Sequence, residues 1–429
     1  MLAILLSSLI FIACLGLIFS EKINRTIVAM AGAAVMVGAG KLLGFYSEQD
    51  AIASIDWNTL GLLLGMMVLV ALLEPTGFFE YVAVSTARLS KGIPIRLFVL
   101  LGGVTTVLSM FLDNVTTIVL IAPVTILISE VLGTSATPYL ISEALLSNTG
   151  GVATLVGDPP NVLIGSAANL SFTDFLVHAL PVVLVCWVAA LALLLFLFRK
   201  ELRIVPENHE AVMKMIPSEA LNDRRTAMRV LVIIGGAIAL FFLHSLLDLT
   251  PSYVALSAAA VALIVVRPSM DETFKNVEWN VLLFFIGLFV VVGGIDKSGA
   301  LDLLISLLEK GSTFIPALFG ILLIWIVAGL SAVVDNVPIT IALIPVIEGL
   351  AEVGINPTPL WWALVFGAGF GGCATIIRAS ANIIVAILSE KTRNPITSAL
   401  WIRRGLPVML LTCTIASLIF WFAYNHFAD

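Results

Sequence analysis

Two short polar stretches stand inside long apolar runs. Ser109-Met110-Phe111-Leu112-Asp113-Asn114-Val115-Thr116-Thr117 carries a carboxyl, an amide and three hydroxyls, and its centre returns as Asp335-Asn336-Val337. A charge at membrane depth costs roughly 2.5–3.5 kcal/mol on insertion scales, so it faces a cavity or a partner. At the tip of a hairpin the turn frees backbone carbonyls and amides that can coordinate an ion beside the side chains. Asp and Asn are also good helix caps. The second copy of the pair favours the functional reading over capping alone.

The other element able to do chemistry is Gly150-Gly-Val-Ala-Thr154-Leu-Val-Gly157-Asp158-Pro159-Pro160-Asn161. Consecutive prolines remove donors and clash with the preceding turn, so a helix breaks there. Within a membrane, unwound backbone survives only when buried in protein or lining a water-filled cavity. The corresponding stretch is Gly371-Gly-Cys373-Ala-Thr375-Ile-Ile-Arg378-Ala-Ser380-Ala-Asn382, without prolines. Arg378 stands where Gly157 does. It can pair with Asp113, Asp158 or Asp335, attract an oxyanion, or replace a coupling cation; the internal pair is the favoured reading. Cys373 offers a soft thiolate contact, although a buried cysteine more often fills space as a small apolar side chain.

The elements that position these residues are membrane helices. Sixty per cent of the 429 residues are apolar and 12 % charged, a balance that a soluble domain of this size does not need. Apolar runs such as Leu2–Phe19, Thr26–Leu43, Trp57–Leu73, Leu176–Phe198, Val230–Leu246 and Leu406–Phe422 match the roughly 20 residues required to cross a hydrocarbon core. They are continuous, which excludes the short alternating strands of a barrel. The first run lacks a basic flank and is read as a retained span, not a signal peptide. Cys14, Cys186, Cys373 and Cys413 are scattered without a CxxC, so neither a disulfide framework nor a zinc site is expected. No metal, cofactor or nucleic-acid partner is expected. An enzyme would want a nucleophile–base set or clustered His and Glu, and no Walker motif is visible, so the chain reads as a non-enzyme.

A repeat with a 222-residue register organises the chain. Asp56-Trp57-Asn58 matches Glu278-Trp279-Asn280, Glu74 and Gly77 match Asp296 and Gly299, and Pro123 and Glu130 match Pro345 and Glu352. After one lost residue, the glycine-rich stretch at 150 matches that at 371, and Asn161 matches Asn382. The first repeat is expected over 1–198, with a hairpin near 96–132 and a broken helix near 138–168. A linker over 199–229 leads to the second repeat over 230–429, with a hairpin near 312–352 and a broken helix near 359–388.

Orientation follows from the basic residues of short loops. With an outside N-terminus and re-entrant hairpins, 18 of the 22 Lys and Arg fall on the inside, seven of them in the linker. Each half then has five spans, an odd number, so the second half is inverted. The expected fold is an all-α polytopic membrane protein of two inverted five-span repeats, each with a re-entrant hairpin and a broken helix. Such repeats carry secondary transporters, with the site near the midplane. Both termini are expected outside, the linker in the cytoplasm, and the whole in a prokaryotic plasma membrane.

Ser147-Asn-Thr-Gly-Gly-Val-Ala-Thr-Leu-Val-Gly-Asp-Pro-Pro-Asn161 and Asp113-Asn114-Val115-Thr116 resemble the motifs of the ion-transporter superfamily, in its branch of arsenite-efflux and sodium/proton-antiporter permeases. The resemblance runs through the whole chain. It implies an elevator-like transport domain moving against a scaffold of the spans that open each half. It also implies one half-site of Asn114, Thr116, Gly151, Asp158 and Asn161 and another of Asp335, Asn336, Thr375, Ser380 and Asn382. Cys373, Ala374 and Arg378 depart from the relatives' second broken helix, which puts a conventional second cation site in doubt.

The leading expectation is secondary-active efflux of arsenite or antimonite, driven by protons or the membrane potential. Arsenious acid is neutral near pH 7 and needs hydrogen-bonding groups such as Asn114, Asn336 and Ser380, with Asp113 and Asp335 exchanging protons. Sodium/proton antiport through Asp113, Asp158 and Asp335 is the second expectation, and di- or tricarboxylate transport the third. The expected partners are a small inorganic substrate, a coupling proton or sodium, and the lipid bilayer. A separate ATPase subunit and a homodimer are compatible with the sequence.

Overall fold

The computed structural model describes residues 1–20, 22–301, 315–376, 379–392 and 394–428. Among them there is no strand, and nine helices are long and apolar enough to cross a membrane. The protein is an all-α polytopic membrane protein built from two inverted repeats.

Six helices form a scaffold. They are α1 (Leu2–Ser20), α2 (Arg25–Leu43) and α3 (Trp57–Leu73) from the first half, and α10 (Arg224–Leu243), α11 (Pro251–Val266) and α12 (Trp279–Lys297) from the second. Their ends are set by local chemistry: the Asn24 side chain accepts from the Thr26 amide at the start of α2, and Gly44 closes it in the left-handed conformation. The closest scaffold packing crosses between halves. A Cβ on Gly65 of α3 would lie 2.5 Å from the Ala255 backbone of α11, and one on Gly287 of α12 would lie 2.6 Å from the Ala29 backbone of α2. Small residues let membrane helices approach in this way, and packing then replaces the missing hydrophobic drive.

The remaining core carries the site. Helices α5 (Pro94–Phe111) and α6 (Asn114–Leu132) form one hairpin after the amphipathic helix α4 (Phe78–Ser90). The first broken helix is α7 (Thr137–Gly151) and α8 (Pro159–Ala167), followed by α9 (Leu180–Leu197). In the second half, α13 (Pro316–Ser331) and α14 (Asn336–Glu352) form a hairpin, α15 (Thr358–Gly371) and α16 (Ser380–Ser389) a broken helix, and α17 (Ser398–Phe422) the last span. Helix α7 is buried along its whole length and helix α15 at every residue after Thr358, so their buried polar residues must find partners within the protein. The arms of the first hairpin are as long as spans and those of the second, at 16 and 17 residues, are shorter; both tips reach the same central cavity, which makes them hairpins ending within the protein.

Candidate functional site

The site is built on a frame that repeats almost bond for bond. Ser109 Oγ donates to the Ser147 carbonyl at 3.0 Å, and Ser331 Oγ donates to the Ala368 carbonyl at 3.0 Å. The Thr154 hydroxyl donates to the Met110 carbonyl, as Thr375 Oγ1 does to the Ala332 carbonyl at 3.1 Å. These bonds tie each hairpin to the broken helix of its own half. Each break is then closed by an asparagine. Asn161 Nδ2 reaches the carbonyls of Gly151, Val152 and Thr154 at 3.1, 3.3 and 2.8 Å, and Asn382 Nδ2 those of Gly372 and Thr375 at 2.8 and 2.9 Å. Carbonyls freed by unwinding are satisfied in this way without water. Gly151 is required by close approach, since a Cβ there would sit 2.7 Å from the Gly157 carbonyl oxygen.

A cavity of about 270 Å³ lies where the tips and breaks meet the scaffold. Asp113, Asn114, Asp158, Asp335, Asn336 and Ser380 all line it, together with Arg25 of α2, Glu278 at the start of α12, and the rings of Phe284 and Phe285. Asp113 caps α6: its Oδ1 accepts from the Val115 and Thr116 amides, both at 2.9 Å, and its Oδ2 from the Thr116 hydroxyl. Asp335 caps α14 with only one backbone bond, from Val337 at 3.3 Å, because Pro338 replaces the threonine and has neither the amide nor the hydroxyl. Its Oδ2 instead accepts from Arg25 Nη1 at 2.5 Å. Asp158, 2 % exposed, makes no cap bond to α8 and accepts from Asn336 Nδ2 at 3.4 Å. Asn114 Nδ2 donates to Asn148 Oδ1 at 3.2 Å, and Asn148 Nδ2 donates to Asn382 Oδ1 at 2.9 Å, linking the two half-sites through buried amides.

Several residues singled out in the sequence stand behind this cavity, not on it. Gly151, Asn161, Thr375 and Asn382 hold the breaks. Thr116 serves Asp113 and lines a smaller neighbouring cavity of about 160 Å³ with Glu74 and Glu278. Cys373 is fully buried behind the cavity, its thiol 3.8 Å from the Leu145 carbonyl of α7. Arg378 lies outside the described residues. In the other direction, Arg25 reads in the sequence as an inside-loop charge and Glu278 as the opening of a span, yet both line the cavity. Buried Glu143, which accepts from Thr125 Oγ1 at 2.6 Å, carries no sequence signal beyond polarity within an apolar run, and Asn148 is marked only by lying in the motif that opens at Ser147.

The family of citrate transporters (CitMHS) matches residues 15–367, most of the chain and all of the first half-site. This protein belongs to the citrate transporter family. It is 37 % identical over 429 residues to an uncharacterized transporter of Mycobacterium tuberculosis, covering 97 % of this chain and 98 % of that one. It is 32 % identical to the human P protein over 93 % of this chain, which spans 57 % of that relative's length. Among solved structures, the YdaH transporter of Alcanivorax borkumensis superposes with a TM-score of 0.63 over 99 % of this chain and 98 % of that one, at 16 % identity, and shares the fold. The chain is a membrane transporter and not an enzyme. The family match is to citrate transporters, and the arsenite-efflux and sodium/proton-antiporter branch expected from the motifs is not what it shows.

Proposed function

We propose that this protein is a secondary-active transporter that moves a small carboxylate together with, or in exchange for, a coupling proton or sodium ion bound at Asp113, Asp158 and Asp335. The observation that carries the reading is the convergence of both hairpin tips and Asp158 on one cavity. Three aspartates and Glu278 face a single described cation, Arg25, in a region where unpaired charge is expensive. Cations are what such a cavity attracts. A carboxylate enters with its charge compensated by the cation on the aspartates, and Asn114, Asn336 and Ser380 hydrogen-bond it. The family's description as citrate transporters supports the carboxylate.

Sodium/proton antiport is the second reading, favoured by the same acidic cavity, with the aspartates alternating between sodium and protons. Arsenite or antimonite efflux keeps the amide and hydroxyl groups of Asn114, Asn336 and Ser380 as support, while Cys373 stands behind them against α7. We infer an elevator in which the hairpins and broken helices move against α1–α3 and α10–α12. With the basic loops inside, the cavity beside Arg25 and Glu278 lies toward the cytoplasm. The repeat boundaries at 198 and 230, flanking a cytoplasmic linker, belong to this proposal.

The test uses purified protein in proteoliposomes, with labelled citrate, sodium and arsenite followed in parallel under an imposed pH or sodium gradient. Citrate uptake that follows the gradient and disappears in Asp113→Asn supports the proposal. Sodium-driven proton movement with no citrate flux replaces it with antiport, and gradient-driven arsenite flux alone replaces it with efflux of the neutral oxyacid.

A further inference from the structure

The ion pair between Arg25 and Asp335 joins residues 310 positions apart, one on the scaffold and one on a hairpin tip. Helix stability does not explain the arginine. A cation in the first turn of α2 opposes the helix dipole, which favours acidic groups there. Capping does not explain the aspartate's state either, since one 3.3 Å amide bond leaves its Oδ2 for Arg25, whereas Asp113 is fully engaged by its own helix. The guanidinium is fixed from the scaffold side, lying 5.1 Å above the Phe284 ring of α12. Glu278, which caps nothing, lies on the same cavity and close enough for Arg25 and Asp113 to act on it electrostatically.

We propose that Arg25 is a built-in competitor of the coupling cation, holding Asp335 when the cation is absent and moving to Glu278 when the cation takes Asp335. The charge count supports the exchange. A sodium ion or proton on Asp335 leaves the guanidinium without a partner in a half-buried setting, with side-chain exposures of 35 % and 18 % for Arg25 and Asp335, and Glu278 supplies the replacement. Because Arg25 and Glu278 belong to the scaffold and Asp335 to a hairpin, loading the site dissolves a scaffold–hairpin bond and reforms it within the scaffold. Cation binding and release of the hairpin from the scaffold are thereby one event: in exchange the pair holds the empty carrier in place, and in symport it slows the empty carrier's return. The charged groups facing Asp335 in the described structure are Arg25, Asp113, Asp158 and Glu278.

This inference rests on the reading that Asp335 binds the coupling cation, and the experiment separates the two. Proteoliposomes carrying wild type, Arg25→Gln, Arg25→Lys, Asp335→Asn and Glu278→Gln are assayed for uptake against sodium concentration and pH. Cation-induced thermal stabilisation of the purified proteins serves as a second readout that does not need turnover. Removing a competing pair of ordinary strength lowers the cation concentration for half-maximal effect about fivefold in Arg25→Gln. Arg25→Lys, which keeps the charge, is expected near wild type, and Glu278→Gln is expected to raise the cation requirement. Arg25→Gln with an unchanged half-saturating concentration in both readouts overturns the competitor role, whether or not maximal rate falls. Asp335→Asn with wild-type cation dependence overturns instead the reading beneath it.

Discussion

The two hairpin tips begin with the same dipeptide, Asp-Asn, and reach different electrostatic states. At the first tip Thr116 completes the cap of Asp113, so the carboxylate is occupied by its own helix. At the second, Pro338 withholds the amide and the hydroxyl, and Asp335 turns to Arg25 on another domain. The same divergence separates the scaffold helices. Asp56 caps α3 with the amides of Asn58 and Thr59 and the Thr59 hydroxyl, while the matching Glu278 makes no cap bond and lines the cavity. The frame of serine, threonine and asparagine bonds stays symmetric. An inverted repeat thus conserves the bonds that shape a site and diverges in the groups that carry charge, giving one side a closed set of hydrogen bonds and the other an exchangeable ion pair.

The largest effect is expected at the group with no counterpart. Asp158 corresponds to Ala379, so no second carboxylate can replace it, and Asp158→Asn should reduce gradient-driven uptake to the background of empty vesicles. Retained coupling in that variant would move the cation site to the tips alone. A transplant sharpens the comparison next. Pro338→Thr returns to Asp335 the donors that Asp113 has, so the added change Arg25→Gln should then shift half-saturation by less than about twofold instead of about fivefold. The two break asparagines come third. At about 1 kcal/mol per hydrogen bond, Asn161→Ala and Asn382→Ala should each cost about 3 kcal/mol of thermal stability in detergent, the first losing its three carbonyl bonds and the second its two together with the bond donated by Asn148. Smallest are Ser109→Ala and Ser331→Ala, expected to lower stability equally, by about 1 kcal/mol each; unequal losses would show that the frame is less symmetric in solution than its bonds.

Much of this was legible in the sequence because repeats, prolines and glycines act locally. The 222-residue register located both Asp-Asn tips, and Asp158-Pro159-Pro160 announced a break by steric exclusion alone. Partner choice is a long-range property and was not legible. Nothing near Arg25 announces Asp335, and Asp56 and Glu278 look alike as residues preceding Trp-Asn. Asn161 and Asn382 stand out in the sequence as members of the two polar stretches, but a pattern of residue types cannot tell an amide that binds solute from one that seals carbonyls. The place of Cys373 against Leu145 of α7 is likewise set by a neighbouring helix and not by its own stretch of sequence.

The crossed packing of the scaffold bears on how the protein is made. Helix α2 rests on α12, and α3 on α11, so the first half enters the bilayer without the surfaces it will finally bury. At synthesis rates of about 5–20 residues per second, Gly65 and Ala29 wait on the order of ten seconds or more for Ala255 and Gly287 to emerge. During that interval lipid, or a membrane chaperone, must cover the exposed small-residue faces. Neither half expressed alone should assemble into a lasting fold, whereas the two expressed as separate chains in one membrane should find each other and rebuild the scaffold.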